Sequence, residues 1–283
     1  MKRWRIAAIA GGTVIGLGAA AAIAGAVGSH RFLRRYEDEK SALLARAKTV
    51  VPAVKLPALT DSDLPAPVRR YLALITPEAG VGLRSALVRQ RGELRASATQ
   101  RWMPFVSEQV YTLDPPGFLW HAKARIAPGI HMLARDKFVD GKGNMWITVL
   151  GVVGIANATG PGVDSGAGLR YWGEALVFPE VVLSRQLRWE AVNERSARVH
   201  IRQDSLHLTG LVEFDEQGYL ESIHANRHRD VDGVPVLTPW SGHMQRWKTV
   251  GGRAFPTIWT SVWHLAEGDL TAVRMEIEDL ATD

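Results

Sequence analysis

The sequence contains no cysteine. That excludes disulfides, thiolate nucleophiles, zinc knuckles and iron–sulfur clusters. It does not fix the compartment, because a cysteine-free domain folds in reducing and oxidising surroundings alike. Also missing are a GxSxG elbow, a P-loop, an HExxH helix, a kinase signature and a GxGxxG turn after a strand. No catalytic residue, metal ligand or cofactor is therefore assigned. A basic domain is absent too. The chain has a formal net charge of +5, but Lys2, Arg3 and Arg5 precede a long stretch without acids. Without those three, 31 Lys and Arg face 29 Asp and Glu. The remainder is nearly neutral, which argues against nucleic acid as a partner.

What is present begins with an uncharged run, Ile6 to Gly28. As a helix at about 1.5 Å per residue it matches a hydrocarbon core of about 30 Å. Two readings compete. One is an uncleaved single-pass anchor between the basic flanks Lys2–Arg5 and His30–Arg35. The other is a signal segment with a small-x-small site at Ala24-Gly25-Ala26. The run's length and the bases that follow favour the anchor, with residues 1–5 as a cytoplasmic tail and the main domain outside the cytoplasm. Gly12 and Gly16 have the spacing of a helix-pairing motif, a spacing that chance also produces in so Gly- and Ala-rich a segment.

Residues 29–60 read as a juxtamembrane helix, Tyr36 to Val51, followed by an extended linker from Val51 to Thr60 containing Pro52 and Pro57. The globular domain is expected over 61–283. Asp61, Ser62 and Asp63 are cap candidates for a helix in which Leu64, Val68, Leu72 and Ile75 recur at helical spacing. From Leu83 the period changes to that of strands, with a tight turn at Asp140-Gly141-Lys142-Gly143. Gly151 to Gly168 reads as a glycine-rich loop and Leu169 to Leu183 as the main helix within the sheet region. After it come further strands separated by turns such as Asp215-Glu216-Gln217-Gly218. About ten strands so connected make a large antiparallel sheet, which must twist and curl. The expected class is mainly β (α+β): a curved sheet, half-barrel or barrel, with a few packing helices and one N-terminal transmembrane helix.

The tryptophans carry most of the functional reading. Trp120 shares a strand face with Ala122, Ala124 and Ile126, and small residues beside an indole leave space for tight packing or for a cleft. Trp102, Phe105, Phe118, Trp120, Trp146, Tyr171, Trp172 and Trp240 are the candidate lining of a concave, ligand-binding face. Arg170 and Glu174, four apart on a helix, either clamp helix to sheet or recognise a polar head group. His224, Asn226, His228 and Asp230 alternate along one strand, the pattern of a solvated face or of a metal or proton-relay site. Ser165 reads as a loop serine.

Several local sequences resemble one numbered family of membrane-anchored bacterial proteins of unknown function, number 6544. They include Leu64-Pro65-Ala66-Pro67-Val68-Arg69-Arg70-Tyr71-Leu72, Gln100-Arg101-Trp102-Met103-Pro104-Phe105, Pro115-Pro116-Gly117-Phe118-Leu119-Trp120, Leu169-Arg170-Tyr171-Trp172-Gly173-Glu174-Ala175 and Pro239-Trp240. The resemblance covers roughly residues 60–280 and brings no activity with it. It implies a fold similar to the half-barrel of lipoprotein carriers. Three functions follow in order: a non-enzymatic binder of a lipid or acyl chain at a bilayer, an interaction module with an envelope protein partner, and a hydrolase or metal-dependent enzyme using His224, His228, Glu174 or Asp136.

Overall fold

The computed structural model describes residues 2–47, 63–77, 82–231, 233–250 and 252–283, with the side chains of 2–19 left out. The expected linker 51–60, the cap candidates Asp61 and Ser62, and the side chains of most of the uncharged run lie outside the described residues. Among those described, no helix is long and apolar enough to cross a membrane.

Thirteen strands form one antiparallel sheet. In chain order they are β1 (Ser85–Leu94), β2 (Met103–Leu113), β3 (Pro116–Ala127), β4 (Ile130–Val139), β5 (Lys142–Val149), β6 (Val153–Ala158), β7 (Leu187–Asn193), β8 (Ser196–Gln203), β9 (Leu206–Phe214), β10 (Leu220–Val231), β11 (Val234–Val250), β12 (Arg253–Leu265) and β13 (Gly268–Thr282). Across the sheet the order is β6-β5-β4-β3-β2-β1-β13-β12-β11-β10-β9-β8-β7. Two meanders are thus joined where the first strand pairs with the last. The helices are α1 (Lys2–Arg46), α2 (Ala66–Ile75), α3 (Pro161–Ala175) and the short α4 (Pro179–Val182). Twist accumulates over so many strands, and the sheet curls into a half-barrel. The wings close far enough to bring the β4–β5 turn at Gly141 towards Asp204 in the β8–β9 turn.

The alternation of each strand sorts the two faces. Tyr111, Phe118 and Trp120 enter the concave core with α2, α3 and α4, whereas their neighbours Val110 and Leu119 face the opposite, convex side. In α2, Val68, Tyr71, Leu72 and Ile75 are buried at the anticipated spacing.

Helix α3 begins eight residues before the expected start at Leu169, inside the supposed loop. A strand, β6, occupies part of that loop as well. Glycine lowers helix propensity by about 1 kcal/mol, which is why the run reads as irregular. Here the glycines serve contact. A side chain at Gly168 would strike Leu206, and one at Gly173 would reach Ile223, so their absence lets the helix lie close against the sheet. Pro161 at the first turn and Gly160 with φ 109° set the start.

The expected juxtamembrane helix at 36–51 is not a separate element. Helix α1 is continuous through the uncharged run and onto the convex face. Gly25, Gly28, Phe32, Tyr36, Leu43 and Ala47 are buried along one stripe of it, at the three-to-four-residue spacing of an amphipathic helix. Phe32 stacks on Trp146 with ring centroids 4.5 Å apart. Lys40 reaches Glu108 at 2.9 Å, and Glu39 lies 3.1 Å from the buried Arg135. Each large apolar side chain buried in this way contributes about 1.5–3 kcal/mol.

His121 of β3 lies under Phe32 and Tyr36, at 5.7 and 5.0 Å. Burial pushes its pKa down to about 4. The unfolded chain takes up this proton near pH 6.5, and the folded chain only near pH 4. Stability is therefore expected to fall as pH drops through that interval. In thermal unfolding followed across pH, His121→Phe should remove this component and flatten the difference between pH 6.5 and 4 relative to the parent.

Candidate functional site

Helix α3 does not fill the hollow. Between it and the concave face lies a cavity of about 450 Å³, within the range of about 300–1,000 Å³ common for small-molecule sites. Its walls are chiefly apolar. Ala134 and Met132 on β4, Met145 and Ile147 on β5, Val273 and Met275 on β13, and Trp120, Trp240 and Trp263 contribute. Three of the six methionines in the chain line it. Their unbranched, polarisable side chains adapt to ligands of irregular shape.

One end of the cavity is polar. Arg170 lies over the rings of Phe118 and Trp120, 5.0 and 4.8 Å from their centroids. Its guanidinium donates to Asp136 at 2.9 Å, Glu174 at 3.1 Å and the Gln109 carbonyl at 2.8 Å. Glu174 also accepts from Tyr111 and from the Gln109 amide, both at 2.7 Å. Burial alone would lower the Arg170 pKa, but Glu174 and Asp136 outweigh it and the net shift is upward. Burial raises the Asp136 carboxyl in spite of Arg170 and Arg227.

Arg227 faces the same space from β10. Its Nε donates to the Gly166 carbonyl at 3.1 Å, and its guanidinium stacks near Trp240 at 5.3 Å and Trp263 at 5.9 Å. No carboxylate among the described residues lies within ion-pair distance of it. Burial pulls its pKa down, partly opposed by Asp136. A half-buried guanidinium without a carboxylate within ion-pair distance attracts an anion.

The sequence-derived lining divides in two. Phe105, Trp120, Arg170, Glu174 and Trp240 line the cavity. The other five do not. Phe118 is fully buried beneath Arg170, and Tyr171 stacks on Phe138 and donates to the Thr112 carbonyl. Trp172 is buried on the side of α3 turned to Gln203, to whose carbonyl it donates at 3.1 Å. Trp102 is held at the rim between the guanidiniums of Arg95 and Arg274. Trp146 belongs to the convex face under α1, because it pairs in register with Arg135 rather than with Asp136. Arg227, Trp263 and the three methionines were missed. The alternation Met132-Ala134-Asp136 on β4 was the available signal.

Asp136 and Glu174 do meet, but at Arg170. His224 stands apart. It neighbours the core residue Ile223 and so points to the other face, 2.9 Å from Ser222 and 3.0 Å from Glu213. His228 hydrogen-bonds Ser165 at 2.9 Å, which places that serine on α3 and not in a loop. Of the groups named for hydrolysis or metal binding, Asp136, Glu174 and His228 thus line one cavity while His224 lies apart, and among the described residues no cluster of three or more His, Asp or Glu is placed to hold a metal.

Arg170→Met would leave two buried carboxylates without their counter-charge. A loss of about 3–5 kcal/mol is expected in urea unfolding followed by tryptophan emission. Adding Asp136→Asn and Glu174→Gln removes the stranded charges and should restore more than half of that loss.

Two solved structures are similar in fold. A LolA superfamily protein from Nitrosomonas europaea has 10% identity and a TM-score of 0.41, with 82% of this chain and 94% of that chain covered. An outer membrane lipoprotein-sorting protein domain from Vibrio parahaemolyticus has 12% identity and a TM-score of 0.38, covering 71% and 86%. No curated protein matches the chain. The model of a family of unknown function, DUF6544, matches residues 57–275, most of the chain, and the protein belongs to that family.

Proposed function

We propose that the protein is a non-enzymatic binder of a single-chain amphiphile, an acyl chain with an anionic end such as a fatty acid. The cavity carries this reading: a space of about 450 Å³ with apolar walls and one polar end. The chain lies along Met132, Ile147, Val273 and Met275. The acidic group meets Arg227, the half-buried guanidinium that has no carboxylate within ion-pair distance among the described residues. Arg170, held by Asp136, Glu174 and Gln109, keeps α3 in place. We further propose that Ile6–Ala24, the part of the uncharged run ahead of the glycines packed on the domain, moors it to a bilayer as a single-pass anchor and that the domain stands outside the cytoplasm. The uncharged length of the run and its basic flanks support this.

The test is native mass spectrometry of the gently purified chain, with solvent extraction of anything bound. A single-chain acid is expected as an adduct, and Ala134→Trp, which fills the space, should remove it. Arg227→Gln should weaken binding of the acid at least about tenfold, the share of one charge-assisted hydrogen bond, while leaving binding of the corresponding alcohol unchanged. An unliganded mass that also fails to shift with added amphiphiles would sink the reading.

A further inference from the structure

Hairpins alternate between the two ends of the β1–β6 meander. The β1–β2, β3–β4 and β5–β6 turns share one end, and the β2–β3 and β4–β5 turns the other. The first end carries a group of exposed apolar side chains: Ile126 and Ile130 beside the β3–β4 turn, and Val152, Val153 and Ile155 at the β5–β6 turn, each between 43% and 59% exposed. Solvated hairpin tips are ordinarily polar, so an apolar group here marks contact with something.

Helix α1 reaches the domain at this same end. The backbones of Gly28 and Gly151 lie so close that a methyl group on Gly28 would collide with Gly151. Ser29 donates to the Leu150 carbonyl at 3.2 Å and meets His131 at 3.2 Å. Ile23 and Val27, just before, are exposed. The uncharged residues ahead of Gly25, Ile6–Ala24, measure about 28 Å as a helix, close to the thickness of a hydrocarbon core. If they span it, the hairpin tips stand at its surface.

Charge follows the same order. Behind the apolar tips, on the convex side, come Arg31 and Arg34 of α1 and Lys123 and Arg125 of β3. All four are exposed, and none pairs with a carboxylate among the described residues. Apolar tips with unpaired cations behind them form the sequence of layers that an anionic bilayer surface presents in reverse.

The cavity leads to this end. Asp136, Ala134 and Met132 line it from the polar end outward, and Ile130 is the next residue on that face of β4. The step from Asp136 to Ile130 is about 20 Å along the strand. On the neighbouring strand the same face runs Trp120, Ala122 and Ala124, up to a bulge at Ile126. The cavity is also lined by Leu94, Arg95 and Ala96 at the β1–β2 turn of the same end, so it extends towards the exposed tips.

We infer that the β1–β6 hairpin end docks into the bilayer that α1 enters, so that the cavity opens onto lipid and takes its amphiphile from the membrane without passage through water. This rests on the amphiphile-binding reading, and the two are separable by experiment. The chain has no cysteine, so single cysteines can be placed freely. Val153→Cys and Ile130→Cys report on the tips, and Gln217→Cys on the far end. Each is labelled with nitrobenzoxadiazole, and the full chain is reconstituted into vesicles of phosphatidylcholine and phosphatidylglycerol. Lipids spin-labelled in the acyl region should quench the two tip probes and leave the Gln217 probe unaffected. Tip probes as aqueous as the Gln217 probe overturn the inference. Affinity for a pyrene-labelled fatty acid, measured on the detergent-solubilised chain, tests the cavity alone. Retained affinity with unquenched tips condemns the docking and not the cavity. Ile130→Asp with Val153→Asp should slow uptake of that fatty acid from vesicles at least tenfold without changing the solubilised affinity. Unchanged uptake overturns the proposed route.

Discussion

One guanidinium, that of Arg170, ties helix α3 to the hollow side of the sheet. It reaches Asp136 on β4, Gln109 on β2 and Glu174 on its own helix, while lying over two aromatic rings of β3. A charge in so apolar a place stands only when fully compensated. That requirement sets the position of α3 across the strands. The helix packs on β5 at Gly143 of that strand and on β9 and β10 through its own Gly168 and Gly173, and the cavity lies between it and Met132 and Ala134 of β4 and Val273 and Met275 of β13. A side chain at Gly168 would have to displace Leu206.

The two faces of the meander divide the work. The concave face is covered only in part and keeps a hollow. The convex face is covered in part by α1, whose stripe from Gly25 to Leu43 is buried over β2–β5. A helix packed on the domain over this length has no swivel. The direction in which its uncharged run leaves the domain is set by the seating of Phe32 and Tyr36 on Trp146 and His121.

Much of the architecture was legible in the sequence because its cues are local. The turn at Asp140-Gly141 and the two-residue alternation in β3 and β4 locate strands directly, and the number of strands requires curvature. The α2 face over Val68, Leu72 and Ile75 was likewise evident. What escaped was set by distant contact. The glycines of α3 look like a loop until the sheet against which they pack is known. Trp146 and Trp120 carry the same indole, and only register, Arg135 opposite one and Asp136 opposite the other, assigns them to different faces. Of the candidate site, Phe105, Trp120, Arg170, Glu174 and Trp240 were found by residue type. Arg227 carries no local cue, because its surroundings depend on α3 and on Trp263 far along the chain.

The most direct test uses the methionine methyl groups. Met132, Met145 and Met275 line the cavity, whereas Met103 and Met244 do not. With [methyl-13C]methionine in the purified chain, a saturating long-chain fatty acid should shift the resonances of the first three and leave the other two in place. Resonances that stay unmoved, or shifts confined to Met103 and Met244, would contradict a ligand held between α3 and the concave sheet.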